Sequence, residues 1–245
     1  MIPKSVFLAV GQGTCFVNSV FRLKPRVFQL LFALIFSSPL HADVTVSTLT
    51  ELPTENVAIA VGSQESVMAV NTRNTLNAEE GNYTGVAQSF QWNNDGKLTG
   101  IGLYLHPDQE KFPWRSHESQ RYVLHIHSGD GPSMDEGTHV PVETFSFTIR
   151  GSEISNTGGK WLYLELPGLE LKKGQWYGFQ IGPDSQATNA SLRLFFQISN
   201  TDYEGYSQAL NLADTEIPAE ISYTNNMGGA KDLTFFMTTT TRPAK

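Results

Sequence analysis

The sequence predicts an all-β protein built as an antiparallel sandwich, and three observations carry that expectation. Apolar residues recur at every second position in short runs, turn-forming residues separate the runs, and no segment beyond residue 42 has the apolar period of an amphipathic helix. The runs are 44–50, 57–70 with a break near Gly62, 86–92, 97–105, 122–128, 142–150, 161–166, 175–181, 192–198 and 233–239, with shorter ones at 206–210 and 221–223. About ten strands at this spacing make a sandwich or a barrel.

The turns support the strands. Asn93-Asn94-Asp95-Gly96 is a hairpin signal, because Asp and Gly accept the positive φ that tight β-turns need. Gly129-Asp130-Gly131-Pro132 and Gly158-Gly159 have the same turn chemistry. Three longer connections, 106–120, 184–190 and 200–217, break the rhythm. On a β-scaffold, such loops are where function concentrates. Neither an internal repeat nor a low-complexity linker divides the chain, so one domain is expected.

The first 42 residues have a different character. Lys24 and Arg26 precede the ten-residue run 27–36, and Ser37, Ser38 and Ala42 follow it. A basic flank, a short apolar stretch and small residues before a polar start form the secretory pattern. The run is too short for a membrane span, which needs about 20 residues. A signal peptide is therefore expected within 1–42, its core at 20–42, with translation starting downstream of Met1. Cleavage after Ala42 would leave a β-sandwich domain of residues 43–245, secreted or periplasmic, with no membrane span.

Cleavage would also change the charge. The whole chain carries 17 Lys and Arg against 24 Asp and Glu. Residues 1–42 hold Lys4, Arg22, Lys24 and Arg26 and no acid, leaving 13 basic against 24 acidic residues, a net charge of −11. Such a surface repels nucleic acid rather than releasing its counterions. The only cysteine, Cys15, lies in the removed part, so neither a disulfide nor thiol chemistry is expected in the mature domain.

Alternation also assigns faces. Leu162, Leu164 and Leu166 form a core face, which turns Trp161, Tyr163 and Glu165 the other way. Tyr177, Phe179 and Ile181 are core, opposite Trp176 and Gln180. Leu192, Leu194, Phe196 and Ile198 are core, opposite Arg193, Phe195 and Gln197, and Leu124 and Ile126 are core, opposite His125 and His127. If these strands adjoin, aromatic rings and polar groups share one sheet surface. Rings stack on the apolar side of a pyranose and planar polar groups bond its hydroxyls. Trp161, Tyr163 and Trp176 are the expected platforms, and Gln180, Arg193, Glu165 and His125 the expected hydrogen-bonding groups. The other reading is a second small core, with a loop such as 106–120 folded over the same rings.

The series Gln88-Ser89-Phe90, Leu98-Thr99-Gly100-Ile101-Gly102-Leu103, Leu171-Lys172-Lys173-Gly174-Gln175-Trp176-Tyr177-Gly178-Phe179 and Asp232-Leu233-Thr234-Phe235-Phe236 resembles exported bacterial jelly-roll modules, many of them similar to carbohydrate-binding modules. The resemblance covers most of 83–240. It implies a jelly-roll-like sandwich and binding of a polysaccharide or surface polymer. Modules of this kind often hold a structural calcium, for which Asp130, Asp135 and Glu136 are the expected oxygen ligands. The C-terminal membrane-sorting segment frequent in the family has no counterpart in 238–245.

Catalytic signatures are sparse. His125 and His127 project from one strand face at a spacing that suits a metal pair, with His139, His106 or His117 as a third ligand, but the further glutamate and histidine of a cupin are missing. The Glu-x-Asp-x-x-Glu strand of jelly-roll glycosidases, a Gly-x-Ser-x-Gly elbow and a phosphate-binding glycine loop are also missing. The sequence thus points to a non-catalytic binding module. The alternatives are a structural or matrix module that meets other proteins, and a polysaccharide lyase or metal-dependent enzyme.

Overall fold

The computed structural model describes residues 43–62, 68–72, 83–133, 140–154, 157–184, 192–211 and 231–240. By its contacts the chain divides into Met1–His41 and Ala42–Lys245, and every described residue belongs to the second unit. The expected signal segment, Cys15, Asp135, Glu136, His139 and the expected strand at 221–223 lie outside the described residues.

Thirteen strands are described. They are β1 (Thr45–Leu49), β2 (Val57–Val61), β3 (Met68–Thr72), β4 (Tyr83–Gln91), β5 (Leu98–Tyr104), β6 (Ser119–Gly129), β7 (Val140–Arg150), β8 (Trp161–Leu169), β9 (Trp176–Pro183), β10 (Leu194–Asn200), β11 (Ser207–Asn211), β12 (Lys231–Leu233) and β13 (Phe235–Thr239). All pairings between them are antiparallel. Sheet I has the order β1-β8-β5-β13-β2 and sheet II the order β11-β4-β9-β6-β7, and a three-stranded sheet III has the order β12-β10-β3. This is the all-β antiparallel sandwich that the alternating runs predict.

The core lies between the inner faces of sheets I and II. Sheet I contributes Ile101, Leu103, Leu162, Leu164, Phe235 and Met237, and sheet II contributes Phe90, Leu124, Ile126, Phe147, Phe179 and Ile181, all buried. Phe179 and Phe235 meet edge to face across the two layers, with ring centroids 5.7 Å apart. The period-two reading of inside and outside therefore places Leu162, Leu164, Leu124, Ile126, Phe179 and Ile181 correctly.

Sheet III closes the end of the sandwich where β5 finishes and β13 begins. Leu105 bridges to Phe196, the Thr234 N–H donates to Gln197 O at 2.9 Å, and the Tyr104 N–H donates to Thr234 O at 2.9 Å. The run at 233–239, expected as one strand, is broken at Thr234 for this reason: its backbone serves β10 on one side and β5 on the other. A buried polar network sits at this junction. Gln88, on the inner face of β4, donates to Asp232 Oδ1 at 2.8 Å and accepts from the Leu233 N–H at 2.9 Å. Thr201 Oγ1 donates to Asp232 Oδ2. Burial pushes the Asp232 carboxyl up from its ordinary range, partly offset by the Thr201 and Gln88 hydrogen bonds.

Edge strand β7 is partly closed by its own neighbours. The Thr144 N–H donates to Glu143 Oε1 at 3.0 Å, and the Arg150 N–H donates to Glu153 Oε2 at 2.8 Å, Glu153 lying in the short helix Gly151–Ile154.

Candidate functional site

The structure distributes the residues expected to form one aromatic face over three sheets. Trp161, Tyr163 and Glu165 project from the outer face of sheet I, while Trp176, Gln180 and His125 belong to the outer face of sheet II, across the core. Arg193 immediately precedes β10 of sheet III. Equal parity along a strand fixes which way a side chain points from its own sheet. It does not say which sheet the strand joins.

Sheet I explains its own aromatics. Gly100 and Gly102 of β5 stand opposite Glu165 and Tyr163 of β8, and opposite Thr238 and Phe236 of β13. A Cβ on Gly102 would run into the Phe236 ring, and one on Gly100 into the Tyr163 phenol. The two glycines thus leave a trough on the sheet surface, and rings from both flanking strands lie in it. Tyr163 and Phe236 stack at an interplanar angle of 13°, and the Tyr163 hydroxyl reaches over β5 to Thr238 Oγ1 at 3.0 Å. Trp161 meets Tyr104 and Phe236 edge to face, each at 5.0 Å. It is only 5% exposed. Trp161 packs in a small second cluster with Tyr104 and Phe236. Tyr163 is half-buried and Glu165 exposed.

On sheet II, Gln180 stands in register with Ala87 and His125, and His125 with Thr144. Gln180 and His125 are buried, and His125 Nδ1 shares a 2.7 Å hydrogen bond with Thr144 Oγ1. Ser89, in the same outer layer, donates to Pro132 O at 2.7 Å, so the turn after β6 folds back against this face. Neither Gln180 nor His125 presents an open polar group to solvent. Trp176 is half-buried at the margin, opposite Gln91 and Gly129.

Among the described residues no group of three His, Cys, Asp or Glu is arranged to hold a metal ion. His127 is buried like His125. Asp130 is exposed just beyond β6, whereas its expected co-ligands Asp135 and Glu136 are among the residues not described.

Arg193 occupies a more open surface, one that sequence periodicity missed. The connection 106–120 begins with a 3₁₀ turn at Pro107–Lys111. It docks on the approach to β10. Gln109, 2% exposed, accepts from the Phe195 N–H at 2.9 Å and donates to Arg193 O at 3.2 Å. Trp114, 3% exposed, donates its indole N–H to the same Arg193 carbonyl at 3.0 Å and stacks on Tyr122 in the core. This double anchor carries Phe112 onto Phe195, with ring centroids 5.2 Å apart and an interplanar angle of 15°. The Arg193 guanidinium carbon stands 5.9 Å from the Phe112 centroid, within cation–π range. Phe112 remains 49% exposed. The one available sequence signal was an aromatic pair, Phe112 and Trp114, in a long loop.

A concavity of about 460 Å³ lies between the edge strands β1 and β7, lined by Asp43, Thr45, Ser146, Thr148, Arg150 and Glu153 among others. Its charges are largely engaged already: Arg150 Nη1 pairs with Glu153 Oε1 at 3.0 Å.

No family model matches the chain, and no curated protein matches it. Among solved structures, one similar chain comprises the cysteine protease and lectin-like domains of Cwp84, a surface layer associated protein of Clostridium difficile. It is 10% identical, with a TM-score of 0.37, covering 64% of this chain and 32% of that one. A clostridial Cwp84 cysteine protease after propeptide cleavage is 10% identical, with a TM-score of 0.42, covering 78% and 42% respectively. This chain spans less than half the length of either. No helix among the described residues is long and apolar enough to cross a membrane.

Proposed function

We propose that this β-sandwich is the non-catalytic binding module of an exported protein, and that it holds a glycan or surface polymer at the Phe112–Phe195–Arg193 stack. The observation that carries the reading is the half-exposed Phe112 ring, backed by Phe195 and flanked by a guanidinium. A rigid ring open to solvent beside a planar donor supplies what a pyranose needs, an apolar face to lie on and a directional partner for its oxygens. Of the residues expected from sequence, Arg193 joins this stack. Tyr163, Glu165 and Trp176 stand on other surfaces as secondary contacts.

Retention on immobilised polysaccharides tests the reading. Phe112→Ala should lose retention while keeping the melting temperature within a few degrees of the parent. Retention equal to that of the parent across the panel would reject the stack as the binding site. Export is tested separately: the mass of the protein recovered from the periplasm or medium should correspond to a chain beginning at Asp43.

A further inference from the structure

We infer that the polymer held at the Phe112–Arg193 stack is an acidic one, whose sugar rings carry carboxylates, as uronic acids do. This rests on the reading of the stack as the ligand site and adds the chemical class of the ligand.

Among the described residues the Arg193 guanidinium has no carboxylate partner, and its side-chain contact is the Phe112 ring. Of the three acids of the docking loop two are engaged elsewhere, and the third, Glu110, lies against Gly158. Asp108 pairs with Lys111 at 2.6 Å, and Glu118 accepts the Arg115 N–H at 2.7 Å. Arg193 is half-buried, in a chain of net charge −7 where carboxylates outnumber cations. A guanidinium held partly out of water on an aromatic ring, with no carboxylate among the described residues beside it, is arranged for an anion from outside. Its planar fork matches a carboxylate with two parallel hydrogen bonds, and a charged acceptor strengthens each of them over a neutral hydroxyl.

The site is also preorganised. Trp114 and Gln109 both bond the Arg193 carbonyl, so the backbone that carries the side chain is fixed before any ligand arrives. Less ordering entropy is then lost on binding. The overall negative charge opposes a polyanion, but at physiological ionic strength repulsion beyond about 8 Å is largely screened, whereas a contact pair at the ring is not. Together, the ring and the guanidinium select a ligand with an apolar ring face and a carboxylate at its edge.

The test compares retention of the full chain on polygalacturonate and alginate with retention on methyl-esterified polygalacturonate and dextran. Esterification keeps the pyranose and removes the charge. The free acids should be retained at least ten-fold more tightly than the ester. Arg193→Gln should abolish that preference and Arg193→Lys preserve part of it. Both variants leave the backbone carbonyl to Trp114 and Gln109, so circular dichroism and melting should match the parent. Phe112→Ala should weaken acid and ester alike. Equal retention of acid and ester, or an unchanged preference in Arg193→Gln, overturns the inference and leaves the glycan reading standing. Absence of retention on all four polymers overturns both.

Discussion

The side-chain amide of Gln88 donates to Asp232 Oδ1 at 2.8 Å, joining β4 of sheet II to β12 of sheet III across 144 positions of sequence. Both residues are essentially without solvent exposure. The bond ties the early part of the domain to its last strands and leaves a carboxyl in the interior, held by Gln88 and Thr201.

That carboxyl gives a pH dependence of defined sign. Burial raises the folded-state pKa of Asp232 above that of the unfolded chain. The folded state therefore binds the proton more tightly, and the stability this group contributes is present at low pH and lost as pH rises through the raised pKa. Asp232→Asn cannot ionise, and its amide oxygen still accepts from Gln88. In urea unfolding, Asp232→Asn should equal or exceed the parent at pH 7, with the advantage shrinking towards pH 4. Asp232→Ala should instead lose about 1–3 kcal/mol, because Gln88 is left with an unmet buried donor. An asparagine variant weaker than the parent at pH 7 and equal to it at pH 4 would contradict this sign.

The glycine trough on sheet I predicts an asymmetry between glycines. Gly102→Ala should destabilise by about 1–3 kcal/mol, since the new methyl must displace the Phe236 ring. Gly131→Ala, whose methyl would meet nothing within 4 Å, should be close to neutral. Thermal or chemical unfolding of the pair decides it, and similar losses would show that the rings do not occupy the trough.

Trp161 and Phe112 should separate stability from binding. Trp161→Ala empties a site packed by Tyr104 and Phe236 and should cost about 3–5 kcal/mol. Phe112→Ala removes a half-exposed ring and should cost under about 1 kcal/mol. Denaturation midpoints read this directly. A thermally unaffected Trp161→Ala would restore Trp161 as a surface residue.

Gln109 should control the docking of its loop. Gln109→Ala removes the acceptor of the Phe195 N–H and a donor to Arg193 O. About 1–3 kcal/mol of stability should be lost. Trypsin should then cut at Lys111 or Arg115 well before the parent is cut. Unchanged cleavage kinetics would mean that Trp114 anchors the loop alone.

Much of the fold was legible in the sequence because a strand records its burial locally. Leu162, Leu164 and Leu166 needed no partner to reveal their common face, and His125 and His127 were correctly turned away from the core. The assembly of strands into sheets is a long-range fact with no local trace. Trp161 and Trp176 have the same outward sense but stand on opposite sides of the sandwich. Phe112 lies in an aperiodic loop, so nothing in the pattern marked it, and its importance comes from Gln109 and Trp114 reaching the backbone around residue 193. The alternating Gly100 and Gly102 were a readable sign, since missing side chains on an outer face call for rings from neighbouring strands to fill the space.

Glu143 of β7 and Glu153 of the helix that follows it bear on how copies of this protein behave when crowded. A bare sheet margin is a template on which another chain can add its own strand, and repeated addition gives fibres. At Thr144 and Arg150 that template is already occupied by carboxylates from Glu143 and Glu153. A second molecule would have to evict a negative charge at each of these positions before it could begin to zip on, which disfavours stacking through this margin.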